Sequence, residues 1–512
     1  MKKPTKQRLL KQISTVKTIP PPTGGWNRRD PLPGMPPEDA IVLDNLIPGR
    51  GSAALRRGYA SHATGLGSFV ESLMEYGGVG GTNKLFGATP TAIYNVTASG
   101  AVGAAELSSL TNGRWQHTMF ATAAGNYLVI ANGADAVRNY DGSSWSTPSI
   151  TNVTSSTLAT VTAHAERLWF IENNTLNVWY LPAAAIAGAA TKFPLGSFCR
   201  LGGYLLAMGS WSRDGGAGPD DMAVFITSKG EVVVYSGSDP SSASTWSRVG
   251  TFRIPEPIGR RCLIKAGADL GALTSLGILP MSEVLDNNIS GQSQQAITNK
   301  ISGAFQEAYA TVGGSFGWQV AEYPREKLLL VNVPIAERVT QHQYVLNIET
   351  GAWCRFLGVN AGCWAMMGSN LYFGGNNGVV YKYGVDYLDG TSTISATVQQ
   401  AFSNFGVVGN KQFKAARPLV RAPEGYTPSV QLKLDYDTTA PNLPATSAAS
   451  SASLWDVALW DAAMWGNTSV PRSSWQGVTG IGVTASLAMT LSLAQEFVLN
   501  QTDIMYEPGG YL

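Results

Sequence analysis

The feature that most constrains this chain is a two-strand phrase that recurs through most of its length. An apolar run, a turn and a second run ending in an aromatic or apolar residue repeat, with closing positions at Tyr94, Tyr140, Tyr180, Tyr235, Met281, Leu346 and Tyr381. The intervals between them average about 48 residues, close to the ~40–50 of a propeller blade. The apolar runs, among them Tyr127-Leu128-Val129-Ile130, Leu168-Trp169-Phe170-Ile171 and Val232-Val233-Val234-Tyr235, are too short for helices and rich in β-branched and aromatic types. Three phrases lead through a turn to a tryptophan, at Trp145, Trp246 and Trp353, roughly two blade lengths apart each time. A four-stranded blade cannot bury both faces alone, so blades stack on one another, and a Trp at a fixed place fills the gap between them. The pattern predicts an all-β chain built on a β-propeller of six or seven blades.

The flanks read differently. Residues 18–25 (TIPPPTGG) and 31–37 (PLPGMPP) are Pro/Gly-rich and predict extended chain without regular structure. Residues 1–65 are therefore expected to form an extended basic arm and a first strand, and 66–385 the propeller. Ile297, Ile301 and Phe305 recur every four residues with Ala304 and Ala308 on the same side, which predicts a surface helix inserted near 292–310. After Tyr383 the phrase stops. Val430, Leu432, Leu434 and Tyr436 alternate with polar residues, and a period-two run from Val483 to Leu493 follows an uncharged linker at 438–453. Residues 386–512 are expected to form a C-terminal β domain, sandwich-like or completing the propeller.

Charge narrows the function classes. Lys+Arg total 36 and Asp+Glu 35, a net charge of +1, and charged residues make up 14% of the chain against about 25% in an ordinary soluble domain. A surface so poor in charge suits a subunit of an assembly, part of which faces protein. Near-neutrality argues against global binding to nucleic acid. The first 29 residues carry eight basic side chains and no acid, the pattern of a solvated tail or of an arm that orders on a partner. No continuous apolar core follows them, so they do not read as a secretory signal, and no run approaches the ~18 apolar residues of a membrane span. Cys199, Cys262, Cys354 and Cys363 include no Cys-x-x-Cys pair and read as small core residues of a reducing compartment.

No catalytic constellation emerges. His62, His117, His164 and His342 stand at no ligand spacing, and no phosphate loop is present. Gly313-Gly314-Ser315-Phe316-Gly317 matches the form of a nucleophile elbow, but the predicted helix precedes it and a strand follows, the reverse of what that chemistry needs. Asp220-Asp221 and Asp435/Asp437 are the closest acidic pairs, the latter on the polar side of a predicted strand; a glycan-cleaving propeller would need two carboxylates in one cleft. The sequence therefore predicts no catalytic, cofactor-binding or metal-binding residues.

Several ordered phrases carry a resemblance. They are AIVLDNLIPGRGSAALRRGY from Ala40 to Tyr59; Tyr235 to Pro240, leading through Trp246 to Pro257-Ile258-Gly259-Arg260-Arg261; and Gly277-Ile278-Leu279-Pro280. Trp318 to Pro324, Asn347 to Trp353, and the series Trp455, Trp460, Trp465, Trp475 before Gly480-Ile481-Gly482 complete the order. Together the series resembles the tail nozzle, or tail stabilisation, proteins of short-tailed (podovirus-like) bacteriophages. The resemblance implies a non-enzymatic virion protein, assembled in the host cytoplasm into a homo-oligomeric ring, a hexamer, below the portal and its adaptor ring. That ring would continue the channel for double-stranded DNA ejection and touch tail fibres. Arg56 and Arg57 read either as local salt-bridge residues or as adaptor contacts. Trp455, Trp460 and Trp465 read either as local packing around turns or as an aromatic interface. A receptor-binding or fibre-associated propeller that recognises surface glycans is the alternative function.

Overall fold

The computed structural model describes residues 14–212, 221–266, 269–286, 294–423, 426–443, 446–447 and 470–509. The chain forms two compact units, one of residues 58–346 and 356–385, the other of 1–57, 347–355 and 386–512.

The first unit is a succession of antiparallel meanders, seven among the described residues. The first contains Ser72–Tyr76, Lys84–Ala88 and Ile93–Asn95, and the second Gln116–Thr122, Gly125–Ala131, Arg138–Tyr140 and Trp145–Ser146. The third is Leu158–His164, Arg167–Glu172, Asn177–Tyr180 and Thr191–Pro194, and the fourth Leu205–Trp211, Met222–Thr227, Glu231–Gly237 and Trp246–Arg253. Leu263–Ala266, Asp269–Thr274 and Gly277–Pro280 make the fifth, and Gln319–Tyr323, Leu328–Ala336 and Thr340–Asn347 the sixth. The seventh comprises Ala361–Met367, Asn370–Gly375 and Val380–Tyr383, and its outer strand, Tyr59–Thr64, comes from far upstream, pairing Tyr59 with Tyr383 and Ala63 with Val380. First strands of successive meanders touch in order, and that of the seventh touches that of the first, which closes the ring. This is a β-propeller.

Side-chain alternation explains why the predicted runs are apolar without interruption. In Met222–Thr227, Ala223 and Phe225 pack toward the third meander while Val224 and Ile226 pack toward the fifth. Leu168 and Phe170 likewise face the second meander, and Trp169 and Ile171 the fourth. A strand buried on both faces has no polar side to show. Each fully buried Phe or Ile stabilises the stack by about 1.5–3 kcal/mol. The tryptophans of the fourth strands fill the gaps as expected: Trp246 stacks on Tyr235 at 5.6 Å and on Trp169 at 5.5 Å, and Trp145 lies edge-on to Phe86.

The inserted helix differs from its expected bounds. A 3-10 turn at Asn299–Ile301 leads into a helix at Ser302–Val312, with Ala304, Phe305, Ala308 and Val312 buried. Residues 297 and 298 are held to the fifth meander instead. The Ile297 N–H donates to the Ile278 carbonyl at 3.0 Å, and the Ile278 N–H to Thr298 Oγ1 at 3.2 Å. Gly277, at φ +125°, makes room for that hydroxyl; a Cβ there would lie 1.8 Å from Thr298 Oγ1.

The second unit interleaves both ends of the chain. Val498–Pro508 runs antiparallel to Lys411–Ala422 on one edge, and it pairs with Thr15–Ile19 and Ala53–Leu55 as well. A second set of strands runs Asp39–Asp44, Ser392–Gln400, Ala485–Leu493, Ser429–Leu434. The upstream residues are thus sheet members as well as arm, and the Pro/Gly-rich stretches carry the strands Thr15–Ile19 and Gly25–Trp26 and a 3-10 turn at Leu32–Gly34. The C-terminal strands do not complete the propeller, whose last meander takes its outer strand from residues 59–64. The predicted strand near 483–493 begins at Ala485, and its small and polar positions are buried too: the Ser486 hydroxyl donates to the Gln400 carbonyl at 2.6 Å.

This unit holds a buried electrostatic knot. Arg56 is fully buried, donating through Nη1 and Nη2 to the Asp389 carboxylate at 2.8 and 2.6 Å and through Nε to Asn45 Oδ1 at 2.8 Å. Asn45 takes a left-handed φ of 60°, which Asn tolerates better than most residues, and its amide donates to the Ser395 carbonyl at 2.7 Å. Asp44 receives a bidentate pair from Arg355 at 2.7 and 2.9 Å. Arg56 is therefore a local ion-pair residue and no surface contact. Arg57 is exposed and lies over the Tyr387 ring at 4.3 Å. Replacing Asp389 by Ala would leave the Arg56 charge buried without its carboxylate, and we expect a loss of about 3–5 kcal/mol. R56M, which leaves only the more accessible acid, should cost less. Urea unfolding followed by the fluorescence of Trp26 and Trp353 measures both; equal losses would contradict this account.

Candidate functional site at the propeller channel

The first strands of all seven meanders line a central cavity of about 250 Å³, contributing Leu73, His117, Thr162, Met208, Leu263, Val320 and Cys363. A larger recess of about 500 Å³ adjoins it through the shared residues Gln116, Arg260 and Arg261. Its wall is built by loops: Asn112 and Arg114 ahead of the second meander, Arg260 and Arg261 ahead of the fifth, and Gly313 to Gly317 ahead of the sixth. Helix Ser302–Val312 sets the last loop in place, with Phe305 against Trp318 and the Trp318 indole N–H donating to the Val312 carbonyl at 2.9 Å. Gly313 to Gly317 is thus a loop between a helix and a strand in the wall of the recess, as its order in the sequence implied, and its Phe316 ring carries Arg114 at 4.3 Å and Arg261 at 5.0 Å.

Arg261 spans the channel. From its place before the fifth meander its Nη2 donates to the Glu71 carbonyl at 3.0 Å, Ser72 Oγ at 2.7 Å and the Trp115 carbonyl at 3.3 Å, all at the entry to the first two meanders. Arg260 donates to Asn173 Oδ1 at 2.6 Å. The nearby acids serve other cations. Glu71, buried, accepts from Arg114 at 3.1 Å, Arg338 at 2.9 Å and the Gly113 N–H at 3.0 Å, and Glu337 accepts from Arg114 at 2.8 Å and the Phe316 N–H at 3.0 Å. Among the described residues no carboxylate pairs with Arg260 or Arg261, and Nη1 of each is buried without a hydrogen-bond acceptor. Burial pushes both guanidinium pKa values down, yet a guanidinium keeps its charge in a protein.

The histidines here are neutral. His117 is exposed to the channel space yet ringed by protein, and the resulting desolvation, aided by the Arg261 charge, lowers its pKa to about 4. Burial also lowers His164 to about 4, against a smaller opposing pull from Asp221; its Nδ1 pairs with Ser210 Oγ at 2.9 Å. The four cysteines are free and buried, with the thiols of Cys262 and Cys363 pushed up to about 12 by burial, so they stay protonated and unreactive.

The acidic pair Asp435 and Asp437 is not brought into a cleft. Asp435 follows strand Ser429–Leu434 in a turn rather than alternating along it, and it accepts the Val483 and Thr484 N–H groups at 2.8 and 2.9 Å. Asp437 binds Thr439 and Lys433. Asp221 accepts from Ser212, and Asp220 lies outside the described residues. Among the described residues no group of three or more His, Cys, Asp or Glu could hold a metal ion, and no helix is long and apolar enough to cross a membrane. Trp455, Trp460 and Trp465 also lie outside the described residues. Trp475 is exposed, with Arg417 over its ring at 4.8 Å. Sequence reasoning missed Arg114, Arg260, Arg261 and Phe316 as site residues; the adjacent Arg260-Arg261 after a glycine was the available signal.

No family model and no curated protein matches the chain. Among solved structures, the WD40 β-propeller domain of Doa1 is similar at TM-score 0.41 and 7% identity, covering 66% of this chain and 100% of that one. The Cps50 (Swd1) β-propeller domain of Myceliophthora thermophila is similar at TM-score 0.41 and 11% identity, over 64% and 99% of the two chains. YCF48 from Cyanidioschyzon merolae is similar at 0.39 and 10%, over 64% and 98%.

The lowered His164 pKa has a consequence for stability. Because the folded value, about 4, lies below the ordinary 6.5, the unfolded chain takes up the proton first. Stability is complete above pH 6.5 and falls as pH drops toward 4, by roughly 3 kcal/mol for this group. Urea midpoints of the wild type and H164Q across that range should converge as pH falls; parallel curves would contradict it.

Proposed function

We propose that the protein is a structural, non-enzymatic subunit of the tail nozzle of a short-tailed bacteriophage. It would assemble in the host cytoplasm into a homo-hexameric ring below the portal and adaptor, through which double-stranded DNA passes, with tail fibres as further neighbours. The observation that carries this reading is where the ordered motif residues fall. Asp44, Asn45 and Arg56 tie one unit together, Tyr235 and Trp246 fill a gap between meanders, and Arg261 braces the channel. These are scaffold roles, of the kind a structural subunit asks of its motif residues. The surface adds support: Val408 and Ile481 are 66% and 67% exposed, and Val407 and Val483 stand beside them around Lys411, whose ammonium donates to the carbonyls of both. A cluster of exposed apolar side chains suits a contact between copies.

The alternative, a fibre-associated propeller that binds glycans, draws on the polar recess beside the channel. Quantitative mass spectrometry of purified particles, with antibody labelling in the electron microscope, separates the two. About six copies on the tail axis are expected for a closed ring; copies at the tail periphery would favour the fibre reading, and absence from the particle would overturn both.

A further inference from the structure

Two adjacent cations without acids of their own form the floor shared by the two cavities. Arg114 and Arg338 are ion-paired with Glu71 and Glu337, whereas Arg260 and Arg261 hydrogen-bond only neutral groups, Arg261 feeling the Glu71 charge without pairing with it, and each keeps one Nη1 without an acceptor. Leaving charged donors unmatched away from water is costly, and an oxyanion placed between the two guanidiniums removes that cost through charge-assisted hydrogen bonds. The Nη1 atoms are screened from bulk water, so an arriving anion must draw the long side chains toward the recess by a rotamer change.

We propose that the Arg260–Arg261 pair binds one carboxylate presented by an acidic peptide segment of a partner protein. The shape of the recess selects this source over the other carriers of an oxyanion. At about 500 Å³ it is far larger than a lone ion needs, and its wall carries further polar groups that a peptide backbone can pair with, the amide of Asn112 and the hydroxyls of Ser228 and Ser315. A nucleic-acid strand would call for a line of exposed cations that follow successive phosphates. Here two guanidiniums without a carboxylate hydrogen-bond partner line one recess. The inference stands whether or not the protein is a nozzle subunit.

The test is calorimetric titration of the full chain with a capped Gly-Glu-Gly tripeptide, its Gly-Gln-Gly counterpart and inorganic phosphate. Saturable binding of the glutamyl peptide is expected, with affinity lowered at least about tenfold in the glutaminyl peptide and in R260Q and R261Q. Because Arg261 also braces the channel, thermal melting is measured for each variant; if R261Q unfolds early, R260Q decides, since Arg260 is bound to Asn173 alone. Equal binding of the two peptides, full binding by R260Q, or no binding of the glutamyl peptide would overturn the proposal. Phosphate that binds in an Arg260-dependent way where the peptide does not would also overturn it, and assign the pair to a free ion.

Discussion

Closing the ring is the constraint on which the propeller depends. Each meander buries two faces only if it has a neighbour on both sides, so an open array would leave one face of its first and last members in water. The chain meets this by giving the seventh meander a strand it passed long before: Tyr59–Thr64 pairs with Val380–Tyr383, and Tyr59 sets its ring edge-on to Phe373 and Tyr381 at 5.0 Å each. The clasp joins a cluster that includes Ala63, Leu73, Leu85, Tyr372 and Val380, residues of the first and last meanders together. Ring closure and core completion are one event.

In the second unit the comparable role falls to ion pairs. Arg56, Asp389 and Asn45 bring residues from either end of the sequence together, and Arg355 with Asp44 adds the short segment 347–355. A buried pair gains little over apolar packing, because desolvating two charges offsets most of their attraction. Its effect is selectivity: an arrangement that separates Arg56 from Asp389 strands a charge, so the register of the three chain segments is fixed more sharply than by Leu and Val contacts alone.

These two devices mark the boundary of what the sequence makes legible. The seven closing positions were readable because each meander repeats the same short strand: Tyr94, Tyr140, Tyr180, Tyr235, Leu346 and Tyr381 all fall in third strands, and Met281 directly follows one. Strand Tyr59–Thr64 was not readable as the clasp, since pairing with a distant partner runs through backbone groups that every residue carries. The helix was visible in its apolar face, but not its start, because a single hydroxyl, Thr298, holds the preceding turn to the fifth meander. Arg56 and Arg57 look alike in sequence, and only the position of Asp389 separates the buried one from the exposed one. At the channel the same ambiguity hides Arg260 and Arg261, whose partners Asn173 and Ser72 come from distant meanders.

The low charge content acquires a sharper meaning from these placements. Arg56, Arg355 and Arg114 direct their guanidiniums to Asp389, Asp44 and Glu71, acids that are themselves largely buried, and Arg260 and Arg261 turn into the channel. A chain with 14% charged residues therefore commits a share of them to holding its own folds and has fewer left to keep its surface hydrated. Among the described residues only a few charged side chains, among them Asp44, Arg56, Glu71 and Lys411, are buried, so most of the charge stays at the surface, where Val408 and Ile481 also stand open. Rigidity in this chain thus comes from a few charges placed inside, each guanidinium meeting an acid, as Arg56 and Arg355 do, or a fixed set of neutral acceptors, as Arg261 does.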